Sequence, residues 1–256
     1  MTSAEARLLG CRILVCRPEP RASALCAVLR QHGADARALP LIEIAPLPET
    51  ASTRRLIQDF DLFGHVIVAS PIAAEHLLAR LDGWWPQRPV GQTWYAIGPG
   101  TARCLADAGI ESLTADAGHD SESLLRRPEL QRLDRQRVLL CSGEGGRTLL
   151  ADSLSARGAR VEKLALYQRR RPRYSTVQMT AALTDFDPQA IVALSGETLN
   201  NLLALGQNAD TGLFQRCLVL PTDRVADHAR AAGFKRTLVA PGMDNATLAL
   251  LLEQVC

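Results

Sequence analysis

Short, almost wholly apolar runs alternate along the chain with segments whose apolar residues fall on one helical face. Residues 13–16 (ILVC), 66–69 (VIVA), 138–141 (VLLC), 191–194 (IVAL) and 217–220 (CLVL) are runs of the first kind. Strands that are apolar at every position, rather than at every second one, are those covered on both faces. Between them, Leu25, Val28 and Leu29 keep helical spacing, as do Ile72, Leu77, Leu78 and Leu81. The pattern predicts strands near 13–17, 36–44, 66–69, 94–97 and 112–114, with helices near 20–32, 50–59, 71–81, 101–108 and 121–132. Further strands are predicted near 138–141, 161–168, 191–194, 217–220 and 237–240. Strand–helix alternation of this kind gives right-handed crossovers and parallel sheets, the α/β class.

The pattern repeats. RILVCR at 12–17 resembles RVLLCS at 137–142, so Cys16 and Cys141 correspond at an offset of 125. The same offset aligns His32-Gly33-Ala34 with Arg157-Gly158-Ala159, and Val66 to Ser70 with Ile191 to Ser195. Near Gly109 and Gly233 it becomes 124. One offset held over separated segments points to duplication of a half large enough to bury its own core. A closed eight-stranded barrel fits the length, but about ten strands fit two open sheets better.

In open α/β sheets ligands sit outside the carboxyl ends of the strands. Those ends read Arg17-Pro18-Glu19-Pro20, Ser70-Pro71, Gly98-Pro99-Gly100-Thr101, Ser142-Gly143-Glu144-Gly145-Gly146-Arg147, Ser195-Gly196 and Pro221-Thr222. Ser70, Ser195 and Thr222 have the character of N-caps, and Pro71 and Pro99 fall near the favoured first helical position. Each helix start offers free N–H groups and the positive end of a dipole. Capping alone explains any one turn. Six such turns together suit a ligand with many carboxylates or phosphates.

Other chemistries are disfavoured. The chain has 256 residues, 47% of them apolar, and a net charge of +2, which excludes disorder and a general nucleic-acid binder. No apolar run approaches the ~18 residues of a membrane helix. MTSAEARLLGCR at the N-terminus has no signal-peptide pattern, so a cytoplasmic location is expected. Seven cysteines and five scattered histidines show neither disulfide nor metal-ligand spacing. Gly143-Glu144-Gly145-Gly146 lacks the dinucleotide spacing, neither lysine (Lys163, Lys235) follows a phosphate loop, and no G-x-S-x-G occurs. A cofactor-free cleft with hydroxyls, arginines and Tyr167 remains. Tyr167 ends the alternating segment VEKLALY, where its ring can pack and its hydroxyl meet a polar partner, or its phenol can face the cleft as a proton donor.

Taken in order, RPEPRASALCAVLRQHGADARALPLIEIAP, VIVASPIAAEHLL, YAIGPGTARCLADAGI, VLLCSGEGGRTLLADSLSARGARVEKLALYQR, IVALSGETLNNLL and VADHARAAGF resemble the uroporphyrinogen-III synthase family. The resemblance runs from about Arg12 to Ala240. It implies two similar three-layer α/β/α domains with parallel sheets and exchanged N-terminal units, joined by a two-stranded antiparallel ladder. Carried over, residues 1–36 and 172–256 form one domain, 46–160 the other, and 37–45 with 161–171 the ladder. The implied substrate is hydroxymethylbilane, a linear tetrapyrrole with eight carboxylates. It is cyclised with inversion of its last ring and loss of water, without metal or other cofactor.

The resemblance makes Tyr167 the proton donor to the leaving hydroxyl. Arg17, Ser70, Gly98, Thr101, Gly143, Arg147, Ser195, Gly196 and Thr222 become substrate-binding positions, mainly through backbone N–H groups. Asp223 departs from this scheme, because an acid beside Thr222 repels a carboxylate. Arg169-Arg170-Arg171 reads as a solvated face. A monomer is expected, with no nucleic-acid or membrane partner. The rival readings are a cytoplasmic two-domain small-anion binding or sensor protein and a nucleotide-dependent transferase.

Overall fold

The structure, a computed structural model, describes residues 7–118, 120–146, 148–206 and 212–255. In chain order its first elements are β1 (Arg12–Val15), α1 (Arg21–Gln31), β2 (Asp35–Ala38), β3 (Glu43–Pro46), α2 (Ala51–Gln58), β4 (His65–Val68), α3 (Pro71–Trp84), β5 (Thr93–Ala96) and α4 (Pro99–Asp107). There follow α5 (Ser121–Leu124), β6 (Arg137–Gly143), α6 (Leu149–Ala156), β7 (Arg160–Arg170), α7 (Thr176–Thr180), β8 (Ala190–Val192), α8 (Gly196–Gly206), β9 (Cys217–Leu220), α9 (Asp223–Ala231), β10 (Arg236–Val239) and α10 (Asn245–Leu252). No described helix is long and apolar enough to cross a membrane.

The strands form two five-stranded sheets, ordered β10-β9-β8-β1-β2 and β3-β7-β6-β4-β5. All pairings within the first sheet are parallel, as are β4 with β5 and β6, and β6 with β7. The chain divides into two compact units, Met1–Ile44 with Arg170–Cys256, and Ala45–Arg169. It passes from one to the other within β3 and at the end of β7.

Set against the repeat, the two sheets have the same order. β1 corresponds to β6, β2 to the start of β7, β8 to β4 and β9 to β5. β10 corresponds to the segment around Leu113, which contributes only an isolated parallel bridge to Tyr95.

Alternate residues of the first sheet serve opposite faces. Ile13, Val15, Ala190 and Val192 pack with Leu25 and Leu29 of α1 and Leu248 and Leu252 of α10. Leu14, Ile191, Leu218 and Leu220 pack instead with Leu199 and Leu202 of α8, Val225 and Ala229 of α9, and Met179 of α7. In the second sheet Ile67, Tyr95, Val138 and Leu140 meet Leu124 of α5 and Leu150 and Leu154 of α6. α3 lies against β4 and β6. Each fully buried Leu or Ile contributes roughly 1.5–3 kcal/mol, so these strands are fixed by their coverage on both faces.

Three expected elements differ. The strand predicted over 36–44 is two strands, because Pro40 has no N–H to continue a ladder. Leu39 N–H still reaches Val15 O at 2.9 Å, while β3 belongs to the other sheet. The helix predicted over 121–132 stops after Leu124, and Pro128 opens a separate 3-10 turn. The strand predicted over 112–114 is the single bridge at Leu113. Trp84 and Trp85 tie the end of α3 to the α2 region: Trp84 Nε1 donates to Glu49 at 3.0 Å and Trp85 Nε1 to Ile57 O at 2.8 Å.

Among the described cysteines, Cys16, Cys26, Cys104, Cys141 and Cys217 are free, but Cys11 is disulfide-bonded, which the cysteine spacing along the chain does not indicate. Burial pushes the Cys16 and Cys141 thiols up, so this repeat-related pair packs as small hydrophobes.

Ile191→Ala, in the central strand of the first sheet and fully buried, is expected to cost about 2–5 kcal/mol in denaturant unfolding. A loss under about 1 kcal/mol would contradict the close two-sided packing.

Candidate active site

The unit Ala45–Arg169 brings three strand ends together. β4 runs into Ser70, whose backbone is still extended (φ −160°, ψ 160°) and whose Oγ accepts from Ala73 N–H at 3.1 Å, capping the helix that follows. Pro71 then starts α3. β5 runs into Gly98 at φ +86°, a conformation that glycine reaches without penalty. Thr101, in the first turn of α4, is buried, and its Oγ1 donates to Ile97 O at 3.2 Å. Its side chain thus braces the turn, leaving backbone N–H groups as what the helix start can offer.

Tyr167 reaches this end of the sheet through an irregularity. Ser142 pairs with Ala165, yet Gly143 pairs with Tyr167, so Leu166 is an extra residue in β7. Such a bulge re-aims the side chains after it. Tyr167 is 3% exposed. Its backbone O accepts from Glu144 N–H at 2.7 Å, and its hydroxyl lies 3.1 Å from Ser70 Oγ. The His76 ring on α3 is 6.2 Å from the Tyr167 ring, centroid to centroid.

Beside these turns lies a cavity of about 220 Å³ lined by Ala69, Ile97, Asp120, Ser121, Leu140, Ser142, Gly146 and Leu150. It opens on the carboxyl ends of β4, β5 and β6 and belongs wholly to this unit. Hydrogen bonds from Ser123 hold the Asp120 carboxyl below the usual carboxylate range.

The other unit presents a parallel set of turns. Arg17 follows β1 and is 9% exposed. Its Nη1 donates to Asn245 Oδ1 at 3.2 Å, at the start of α10. Burial, and then the neighbouring Arg21, lower its pKa. A guanidinium so placed, with an amide rather than a carboxylate as partner, is suited to an incoming anion. Ser195 Oγ accepts from Thr198 N–H at 3.0 Å and caps α8, whose first residue is Gly196. Thr222 is the N-cap of α9 but makes no side-chain cap bond. Asp223 is exposed.

Of the positions singled out in the sequence, Tyr167, Ser70 and Gly143 are in mutual contact or register, with Gly98 and Thr101 on the adjacent turn. Arg17, Ser195, Gly196 and Thr222 start helices or precede them in the other unit. Arg147 lies outside the described residues. The pattern missed Asn245, because an amide 228 residues away carries no local signal. It also missed Asp120 and Ser121 at the cavity, although Asp120 is a side-chain cap that the predicted helix start at 121 places next in line.

The arrangement is a strand-end site of an α/β protein: a phenol with its hydroxyl partner, and several helix starts suited to carboxylates. Residues 23–249 match the sequence model of the family described as uroporphyrinogen-III synthase HemD. The chain is 33% identical over 247 residues to the uroporphyrinogen-III synthase of Escherichia coli K12, covering 94% of this chain and 99% of that one. It is 32% identical over 248 residues to that of Salmonella typhimurium LT2, with 94% and 99% covered. The uroporphyrinogen III synthase of the extremely thermophilic bacterium Thermus thermophilus, in a triple-mutant crystal form, has the same fold, with a TM-score of 0.62 at 18% identity over 96% of this chain and all of that one. The Helicobacter pylori 26695 enzyme gives 0.60 at 15% identity, with 95% and 99% covered. The chain belongs to the uroporphyrinogen-III synthase family.

Gly98→Ala forces a side chain to φ +86° and is expected to destabilise by about 1–2 kcal/mol. At Gly196 an added Cβ meets nothing within 4 Å, so Gly196→Ala should stay within about 0.5 kcal/mol. Equal effects in thermal unfolding would contradict this distinction.

Proposed function

We propose that this protein is a cyclising hydro-lyase of tetrapyrrole biosynthesis, a uroporphyrinogen-III synthase, and that Tyr167 is its proton donor. The observation that carries the residue assignment is the placement of the Tyr167 phenol at the carboxyl end of its sheet, against Ser70 at the start of α3. The phenol gives its proton to the terminal hydroxyl of hydroxymethylbilane. The C–O bond breaks, water departs and an azafulvene cation remains. The substituted carbon of the last ring attacks it to give a spiro-pyrrolenine, which fragments and recloses with that ring inverted. The proton lost from the terminal ring on reclosure restores the phenol. Bond changes and proton transfers balance, so no redox group or metal is required by this chemistry.

Eight carboxylates need partners. Backbone N–H groups at Ser70, Gly98, Thr101, Gly143, Ser195, Gly196 and Thr222 supply them, and Arg17 adds a full positive charge. Arg147 is proposed for the same task. Holding the chain so that the substituted carbon is the one attacked is a matter of orientation, which can supply several kcal/mol, roughly 7–11 at the limit.

The domain reading that goes with this function has 1–36 with 172–256 as one three-layer domain and 46–160 as the other, their N-terminal units exchanged. The antiparallel ladder expected over 37–45 and 161–171 centres on β3 and β7, which are neighbours in one sheet. The protein acts as a cytoplasmic monomer on a small-molecule substrate. The alternative, a small-anion binding or sensor protein, is not favoured: sequence relatives across almost the whole chain are synthases.

Tyr167→Phe is expected to slow type III isomer formation by roughly 10²–10⁴-fold while circular dichroism stays unchanged. Undiminished turnover would remove the tyrosine from the mechanism. Ser195→Ala should cost about 1 kcal/mol of stability through the lost cap and change turnover by less than about threefold, since N–H groups hold the ligand. Abolished activity would show that the Ser195 hydroxyl itself is needed.

A further inference from the structure

Three features around Tyr167 go beyond its role as a donor, though their use rests on that role. We infer that Gly143 and the Ser70 hydroxyl are positioning residues that present the Tyr167 phenol with its proton facing the substrate.

Gly143 acts by what it lacks. A Cβ at this position would lie 2.7 Å from Tyr167 Cζ, 2.8 Å from Cε2 and 3.1 Å from the hydroxyl oxygen. All three atoms are at the phenol end of the ring, so any side chain at 143 pushes the reactive end away. The bulge at Leu166 sets Tyr167 directly opposite Gly143. An unbroken register would pair Gly143 with Leu166 instead. The extra residue and the missing side chain therefore work together: one aims the ring, the other makes room for it.

Ser70 fixes the direction of the proton. A hydroxyl has one proton to give and two lone pairs. Ser70 Oγ already accepts from Ala73 N–H at 3.1 Å, at the start of the 14-residue helix α3. The positive end of that helix draws electron density from the oxygen and makes its O–H a stronger donor than that of a serine away from a helix start. The 3.1 Å contact admits either hydroxyl as donor, and the arrangement inferred is the one in which Ser70 donates and Tyr167 accepts. The phenol proton is left free for the leaving hydroxyl. Once it has gone, the Ser70 O–H remains in place to stabilise the phenolate. Backbone N–H groups of the turn stay available to a carboxylate, so the Ser70 side chain and main chain have separate tasks.

The test is steady-state kinetics of type III isomer formation for Ser70→Ala, Ser70→Thr, Gly143→Ala, Tyr167→Phe and the Ser70→Ala/Tyr167→Phe double variant. A hydrogen bond that becomes charge-assisted only after proton transfer favours the later state, so removing it lowers kcat by about tenfold or more and spares KM. Ser70→Ala and Gly143→Ala should each behave so, and Ser70→Thr, which keeps the hydroxyl and the cap, should recover most of kcat. In the double variant the Ser70 effect should vanish, because no phenol remains to be oriented. A raised KM at unchanged kcat for Ser70→Ala would overturn the inference and make the hydroxyl a substrate ligand. A full Ser70 loss persisting in the Tyr167→Phe background would overturn it while leaving the donor role of Tyr167 intact. Wild-type turnover in Tyr167→Phe itself would overturn the donor role, and this inference with it.

Discussion

Coverage of the sheets on both faces is the constraint from which the rest follows. Ile13 and Val15 face one helical layer and Leu14 the other, and β4 is buried at all four positions. Strands hidden in this way offer a ligand neither a face nor a side chain along their length. Only their carboxyl ends remain, and there each strand but β2 leads on to a helix. The turns present N–H groups, small hydroxyls and the positive ends of helices, so the fold offers candidate anion-binding positions at these turns.

Duplication sets the number of such positions. The same strand order recurs in the two sheets, β9-β8-β1-β2 in one matching β5-β4-β6-β7 in the other. Under the proposed function the eight carboxylates of the substrate meet repeated turns rather than a cluster of cations, on a chain whose net charge is only +2. Under that proposal the turns bind but do no chemistry. The chemistry is assigned to one feature that breaks the symmetry of the repeat: Ile42 occupies the position that corresponds to Tyr167 in the other half.

Much of this was legible in the sequence. The all-apolar runs around Cys16 and Cys141 predicted buried parallel strands, and their common offset predicted a duplicated architecture. Ser70 and Ser195 were readable as caps because a cap is a local device. What escaped was decided elsewhere in the chain. Pro40 splits a predicted strand between two sheets, and periodicity cannot say which sheet an apolar residue will join. Leu113 makes a bridge but no strand. The bulge at Leu166 leaves no mark in the VEKLALY alternation, although it governs where Tyr167 goes. Arg17 was visible as a strand-end cation; its anchor Asn245 was not, since the two meet only once β1 and α10 share a core.

At the centre stands the claim that the protein directs the closure of a flexible polyanion to one product. The most direct measurement is to supply freshly generated hydroxymethylbilane to the purified protein, oxidise the products and separate the porphyrin isomers. Spontaneous closure gives the unrearranged type I isomer. Type III is predicted to predominate, with a share that rises with protein concentration. A type I product at every protein concentration would contradict the claim.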